Sequence, residues 1–123
     1  MIGLGIDLCQ IKRIQKAMEK NERFLERYFT PEERAYLDSR GQVLAQSAAA
    51  MFAAKEALLK AMGVGLSGGI PLNAIGVAHD ELGAPSYVLG PEALDKLHSL
   101  GATRAHLSLT HEGGMAGAVA IIE

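Results

Sequence analysis

A chain of 123 residues, 49% of them hydrophobic, suits one domain around one core, residues 1–123. Its 12 basic and 14 acidic residues leave a net charge of −2, so no global field points to nucleic acid or to a membrane surface. One cysteine, Cys9, excludes an intrachain disulfide framework, and no apolar run reaches the roughly 18–20 residues of a membrane span. The apolar start meets Asp7 before a region of secretory-signal length forms, so the expected location is the cytoplasm, with Cys9 packing as a small hydrophobe.

Residues 1–8 have the Ile/Leu content of a short buried strand, in which Gly3 and Gly5 permit close backbone approach. Asp7 interrupts it, and aspartate is a poor strand former. It is either the N-cap of the next helix or a ligand held on a rigid element; both stay open. Ile11, Ile14 and Met18 then recur at helical spacing, and Phe24, Leu25, Tyr28 and Phe29 continue the pattern with a basic opposite face. Thr30-Pro31-Glu32-Glu33 predicts a helix start with Thr30 as N-cap, Pro31 at the first helical position and Glu33 closing a capping box. This helix runs to about Asp38, Arg40-Gly41-Gln42 breaks it, and residues 44–62 form one long alanine-rich helix with Gly63 as C-cap.

That long helix carries the most informative stretch, Phe52-Ala-Ala-Lys55-Glu56-Ala57-Leu-Leu-Lys60-Ala-Met-Gly63. Phe52, Glu56 and Lys60 share a face at i,i+4 steps, with Lys55 beside Glu56. An ordinary Glu–Lys surface pair, worth about 0.2–0.5 kcal/mol, accounts for such spacing. A carboxylate and two ammonium groups in an otherwise apolar helix are costly, however, and Asp7 with Glu56 makes a hard-oxygen pair of the kind that binds magnesium alongside substrate phosphates.

Residues 63–71 read as a loop. Gly63-Val-Gly65-Leu-Ser-Gly68 fits the G-x-G-x-x-G expression, yet it follows a helix and leads to Pro71, whereas a dinucleotide fingerprint follows a strand and opens a helix. The loop either offers amides to a ligand or is a plain connection. Residues 74–78 and 86–89 read as strands joined by a turn at 80–85, a helix runs from Pro91 to about Leu100, and residues 106–110 and 115–122 are strands around a His111-Glu-Gly-Gly114 hairpin. His111 ends an alternating strand beside Ser108 and Thr110. A histidine there either serves a phosphate or a proton, or is a solvated turn residue. The expected architecture is α+β: an N-terminal strand, a helical segment with one long helix, then antiparallel strands.

Gly5-Ile-Asp7-Leu8 with Ile11 and Arg13-Ile14, Phe52-Ala-Ala-Lys55-Glu56-Ala57 with Lys60-Ala-Met-Gly63, and Leu107-Ser-Leu-Thr110-His111 together resemble the holo-[acyl-carrier-protein] synthases, the small single-domain 4′-phosphopantetheinyl transferases. The resemblance spans nearly the whole chain. It implies the 4′-phosphopantetheinyl transferase-like fold and a cytoplasmic transferase of fatty-acid and lipid biosynthesis. Such an enzyme moves 4′-phosphopantetheine from coenzyme A to a serine of an acyl carrier protein and releases adenosine 3′,5′-bisphosphate. By the family pattern Asp7 and Glu56 hold magnesium, Lys60 contacts phosphate and His111 stands near the pyrophosphate or pantetheine. Lys60, Gly63, Gly65, Ser108, Thr110 and His111 would border coenzyme A. The resemblance also gives Arg13, Lys20, Arg23 and Arg27 the role of receiving the acidic helix of the carrier protein, and implies a homotrimer with active sites between subunits. A metal-held water and Glu56 both stay open as acceptor of the serine proton. Three positions depart from the pattern: Met51 replaces a common arginine, Gln10 a frequent acid, and residues 42–50 carry less charge than usual. A binding-only homologue, recognising coenzyme A or the carrier without catalysis, is the alternative.

Overall fold

The computed structural model describes residues 1–65 and 68–123. Strand β1 (Gly3–Gln10) leads into helices α1 (Ile11–Lys20), α2 (Phe24–Tyr28) and α3 (Pro31–Asp38), and a 3-10 turn at Gly41–Val43 opens the long helix α4 (Leu44–Ala61). A second 3-10 turn, Leu72–Ala74, precedes β2 (Ile75–His79) and β3 (Pro85–Leu89); α5 (Pro91–Ser99), β4 (Ala105–Glu112) and β5 (Met115–Ile122) complete the chain. The strands form an antiparallel sheet of order β1-β5-β4 and a separate β2-β3 hairpin. The α+β expectation agrees with this architecture.

Helix α4 lies on one face of the three-stranded sheet, and small residues let it come close. A Cβ on Gly5 would stand 1.9 Å from the Ala57 carbonyl oxygen, and one on Gly3 would stand 2.0 Å from that of Ala61. Any larger residue would push β1 off the helix. The facing strand β5 supplies Ala116, Ala118, Ala120 and Ile122, all buried. β1 is buried on this face alone, which corrects the expectation of a strand buried throughout: Leu4, Ile6 and Leu8, on the outer face, are 56%, 66% and 65% exposed.

Local chemistry sets the element ends. Thr30 Oγ1 accepts from Glu33 N at 3.1 Å while Glu33 Oε1 accepts from Thr30 N at 2.8 Å, closing the capping box. At the end of α4, Gly63 takes φ +73°, and the Gly63 and Val64 amides donate to the Lys60 and Leu59 carbonyls, the two bonds of a Schellman cap. The N-cap of α1 is Gln10 rather than Asp7, which stands inside β1 opposite Ala118. Of the two readings of Asp7, the cap is therefore not the one taken. The β4–β5 turn is tighter than expected. Gly113 and Gly114, both at positive φ, are its two central residues, so His111 and Glu112 belong to β4 and pair with Ala116 and Met115.

Candidate active site

Asp7 owes its position to the glycines before it. Gly3 and Gly5 bring β1 into backbone contact with α4, and the next residue on that face presents a side chain to the helix near its last two turns. The Asp7 carboxylate is 11% exposed; Lys60 Nζ stands 3.0 Å from its Oδ1 and 3.0 Å from the Ile6 carbonyl oxygen. Glu56, one turn earlier on the same face of α4, is half-buried beside Asp7. Burial first, and the Asp7 charge second, raise the Glu56 carboxyl above the usual range, while Arg13 and Lys60 pull it partly back. Two carboxylates thus face each other on two rigid elements, flanked by two cations. Cys9, next on this face of β1, is buried, and burial raises its thiol, which leaves it an inert packing residue.

This donor set fits magnesium. Two adjacent carboxylates supply hard oxygens and a repulsion that a divalent cation relieves, and magnesium characteristically takes one or two protein carboxylates with substrate phosphates and water. Among the described residues no group of three or more His, Cys, Asp or Glu gathers as a closed protein cage would require.

The other expected site residues lie apart from this pair. His111 lies by the first turns of α4, away from the Asp7 end, in a cleft of about 170 Å³ with Tyr36, Arg40, Gln46, Ser47 and His79. There the Tyr36 and His79 rings stack at 4.1 Å and 4°, Arg40 lies 5.3 Å over the Tyr36 ring, and Arg40 Nε donates to Ser47 Oγ at 3.1 Å. Ser108 and Thr110 point to the outer face of the sheet, beside Ile6 and Leu8. Gly63 and Gly65 are exposed beyond the end of α4; Leu66 and Ser67 of the glycine loop lie outside the described residues. Met51 is fully buried and offers nothing to a ligand.

The basic residues are exposed along α1 and α2. Arg13 approaches Glu56, Lys20 closes α1, and Arg23 and Arg27 border a surface cleft of about 340 Å³ with Asn21 and Glu26. Phe24 and Tyr28 seat α2 against α4 through Phe52, with ring centroids 6.1 and 6.2 Å from it, so the cationic segment has a fixed base.

Sequence reasoning missed two things. Lys55, one residue from Glu56, projects about 100° round the helix from it. Its side chain is 0% exposed and meets Glu33 Oε1 at 2.7 Å. Tyr36, Arg40 and His79 likewise carry no site role in the sequence reading. The i,i+4 spacing of Tyr36 and Arg40 was the only hint, because His79 reaches them through the tertiary fold.

The profile of the 4′-phosphopantetheinyl transferase superfamily matches residues 3–114. A holo-[acyl-carrier-protein] synthase of Trichlorobacter lovleyi is 45% identical over 124 residues, covering 100% of this chain and 98% of that protein. Among solved structures, the holo-[acyl-carrier-protein] synthase of Neisseria meningitidis superposes with a TM-score of 0.88 at 37% identity, covering 100% of this chain and 98% of its own. That of Helicobacter pylori, in complex with coenzyme A, does so with a TM-score of 0.84 at 30% identity, covering 98% and 99%.

Proposed function

The chain belongs to the 4′-phosphopantetheinyl transferase superfamily, among the holo-[acyl-carrier-protein] synthases, and on that premise we propose that Asp7 and Glu56 hold magnesium at the pyrophosphate of coenzyme A. The reaction transfers 4′-phosphopantetheine from coenzyme A to a serine hydroxyl of an acyl carrier protein, releasing adenosine 3′,5′-bisphosphate. The observation that carries the metal assignment is the side-by-side placement of the Asp7 and Glu56 carboxylates, one on a strand and one on the helix packed against it.

Magnesium held by Asp7 and Glu56 would supply charge neutralisation to the pyrophosphate. The chain's own groups do the rest. Lys60, exposed and 3.0 Å from Asp7 Oδ1, would offer its ammonium to a phosphate oxygen. Glu56, held beside Asp7 on the rigid helix, is the chain's own group placed to accept the serine proton at its carboxylate. His111 and Arg40 serve the coenzyme from the second cleft, where Arg40 provides the cation that position 51 lacks. Gly63, Gly65, Ser108 and Thr110 border the coenzyme where one subunit meets the next. Arg13, Lys20, Arg23 and Arg27 receive an acidic carrier surface.

Asp7 and His111 sit on opposite edge strands of the sheet, and the three-stranded sheet carries Leu4, Ile6 and Leu8 exposed in a row. Both features favour a homotrimer in which the outer sheet faces pack together and the carboxylate pair of one subunit meets the His111 cleft of the next. Among the described residues no helix is long and apolar enough to cross a membrane, and substrates of this kind favour a cytoplasmic site of action.

The test is the intact mass of an apo acyl carrier protein incubated with coenzyme A, magnesium and this protein. A phosphopantetheine gain that requires magnesium and vanishes with Asp7→Ala and with Glu56→Ala supports the assignment. Undiminished transfer by either folded variant overturns it.

A further inference from the structure

The chemistry above leaves Lys55 unused, although it stands next to Glu56. Its ammonium is enclosed by oxygen: Glu33 Oε1 at 2.7 Å, the Ile75 carbonyl at 2.7 Å and the Leu72 carbonyl at 3.1 Å. Three acceptors require three donors, so the group is the ammonium and not the amine, which has two. Glu33 is equally committed, taking Lys55 and Thr30 N on Oε1 and Val77 N, at 3.0 Å, on Oε2. Buried ion pairs of this kind add little stability over well-packed apolar side chains, but they fix positions.

The position fixed here reaches a cleft. Glu33 and Tyr36 lie one turn apart on the same face of α3, and Val77 and His79 point the same way from β2. Glu33 holds Val77; one step along, the Tyr36 ring lies flat on His79. That stack walls the cleft containing His111 and Arg40. Lys55 therefore joins α4, at the residue beside Glu56, to the two elements that build the stack.

We infer that Lys55 is a positioning residue for coenzyme A: acting through Glu33, it sets the Tyr36–His79 stack against α4 and so fixes the His111 cleft relative to the carboxylate pair. It touches no substrate. The inference rests on the assignment of the His111 cleft to coenzyme A.

The experiment measures transfer while varying coenzyme A and the carrier protein separately. One variant is the double change Glu33→Met with Lys55→Met, which removes the link without leaving a buried charge unpaired. The second, Tyr36→Leu, leaves the link and deletes the stack, and Tyr36→Phe restores the ring. The double variant and Tyr36→Leu are expected to raise KM for coenzyme A about tenfold, with kcat and the carrier KM within about twofold, and Tyr36→Phe to keep the parent KM. A purely structural Lys55 lowers the melting temperature and leaves KM where it was; that result in the double variant overturns the inference. If the double variant does not fold, an unmoved KM in Tyr36→Leu overturns it. A parent protein that transfers nothing contradicts the underlying assignment instead.

Discussion

Lys55 and Lys60 lie five residues apart on α4, each within hydrogen-bond reach of a carboxylate, yet the first is wholly buried and the second is 54% exposed. Around Glu33 and Lys55 every strong donor and acceptor is met by another, across α3, α4, β2 and the turn before it. Around Asp7 and Lys60 the balance is incomplete: Glu56 presses a second carboxylate against the first, and burial and repulsion both raise its proton affinity. A saturated network holds elements in place and has no capacity for a ligand. An unsaturated, self-repelling one on the same rigid helix is what the proposed magnesium and phosphate site requires.

The difference is sharpest in activity. Asp7→Ala or Glu56→Ala should lower transfer by on the order of 10²–10³, the scale for losing a preorganised electrostatic contact, without loss of folded structure by circular dichroism. The reverse holds at the buried pair. Lys55→Met should cost about 3–5 kcal/mol in urea unfolding, because it strands the Glu33 charge, and adding Glu33→Met should recover much of that. Transfer surviving Glu56→Ala, or a Lys55→Met variant as stable as the parent, breaks the contrast.

Gly5→Ala tests what brings the carboxylates together. Its Cβ would fall 1.9 Å from the Ala57 carbonyl oxygen, so β1 must shift, at about 1–3 kcal/mol of stability, and Asp7 shifts with it. Activity should fall together with stability; an unchanged kcat would show that close β1–α4 contact is not what places Asp7.

A smaller effect carries an opposite sign. Glu56 binds its proton more tightly in the folded protein, so its contribution to stability is fullest at low pH and is lost as pH rises from the unfolded carboxylate value through the raised folded one. Glu56→Gln should therefore raise the melting temperature slightly at pH 7 without divalent cations, should gain less near pH 4, and should lose any magnesium-induced rise. A lower melting temperature at pH 7 would mean that Glu56 is stabilising where it stands. Smallest, and confined to association, Arg23→Gln with Arg27→Gln should reduce kcat/KM for the carrier several-fold at low salt and hardly at all at high salt.

Local signals were legible in the sequence because their causes are local. The Thr30–Glu33 box, the Gly63 cap and the alanine-rich α4 follow from neighbours in the chain. Asp7 and Glu56 stood out because charge in an apolar segment is costly, and the resemblance joined them. Lys55 was harder: beside Glu56 it resembles one cluster, and only Glu33, 22 residues away, draws it into another. Glu33 itself was visible as a cap and hidden as a buried partner, since one carboxylate performs both roles with different oxygens and only the first is a local pattern. The distance of His111 from Asp7 was likewise unreadable, because strand order β1-β5-β4 sets the two residues on opposite edges of the sheet.

The most direct test of the contrast between the two clusters is intact-protein mass spectrometry of an apo acyl carrier protein with saturating coenzyme A and magnesium. It compares the parent, Glu56→Ala, and the double variant Glu33→Met with Lys55→Met. The account predicts phosphopantetheine addition by the parent and by the double variant, and none by Glu56→Ala over the same interval. Addition by folded Glu56→Ala, or its absence from a folded double variant at saturating coenzyme A, would contradict the division of α4 into a chemical side and a structural one.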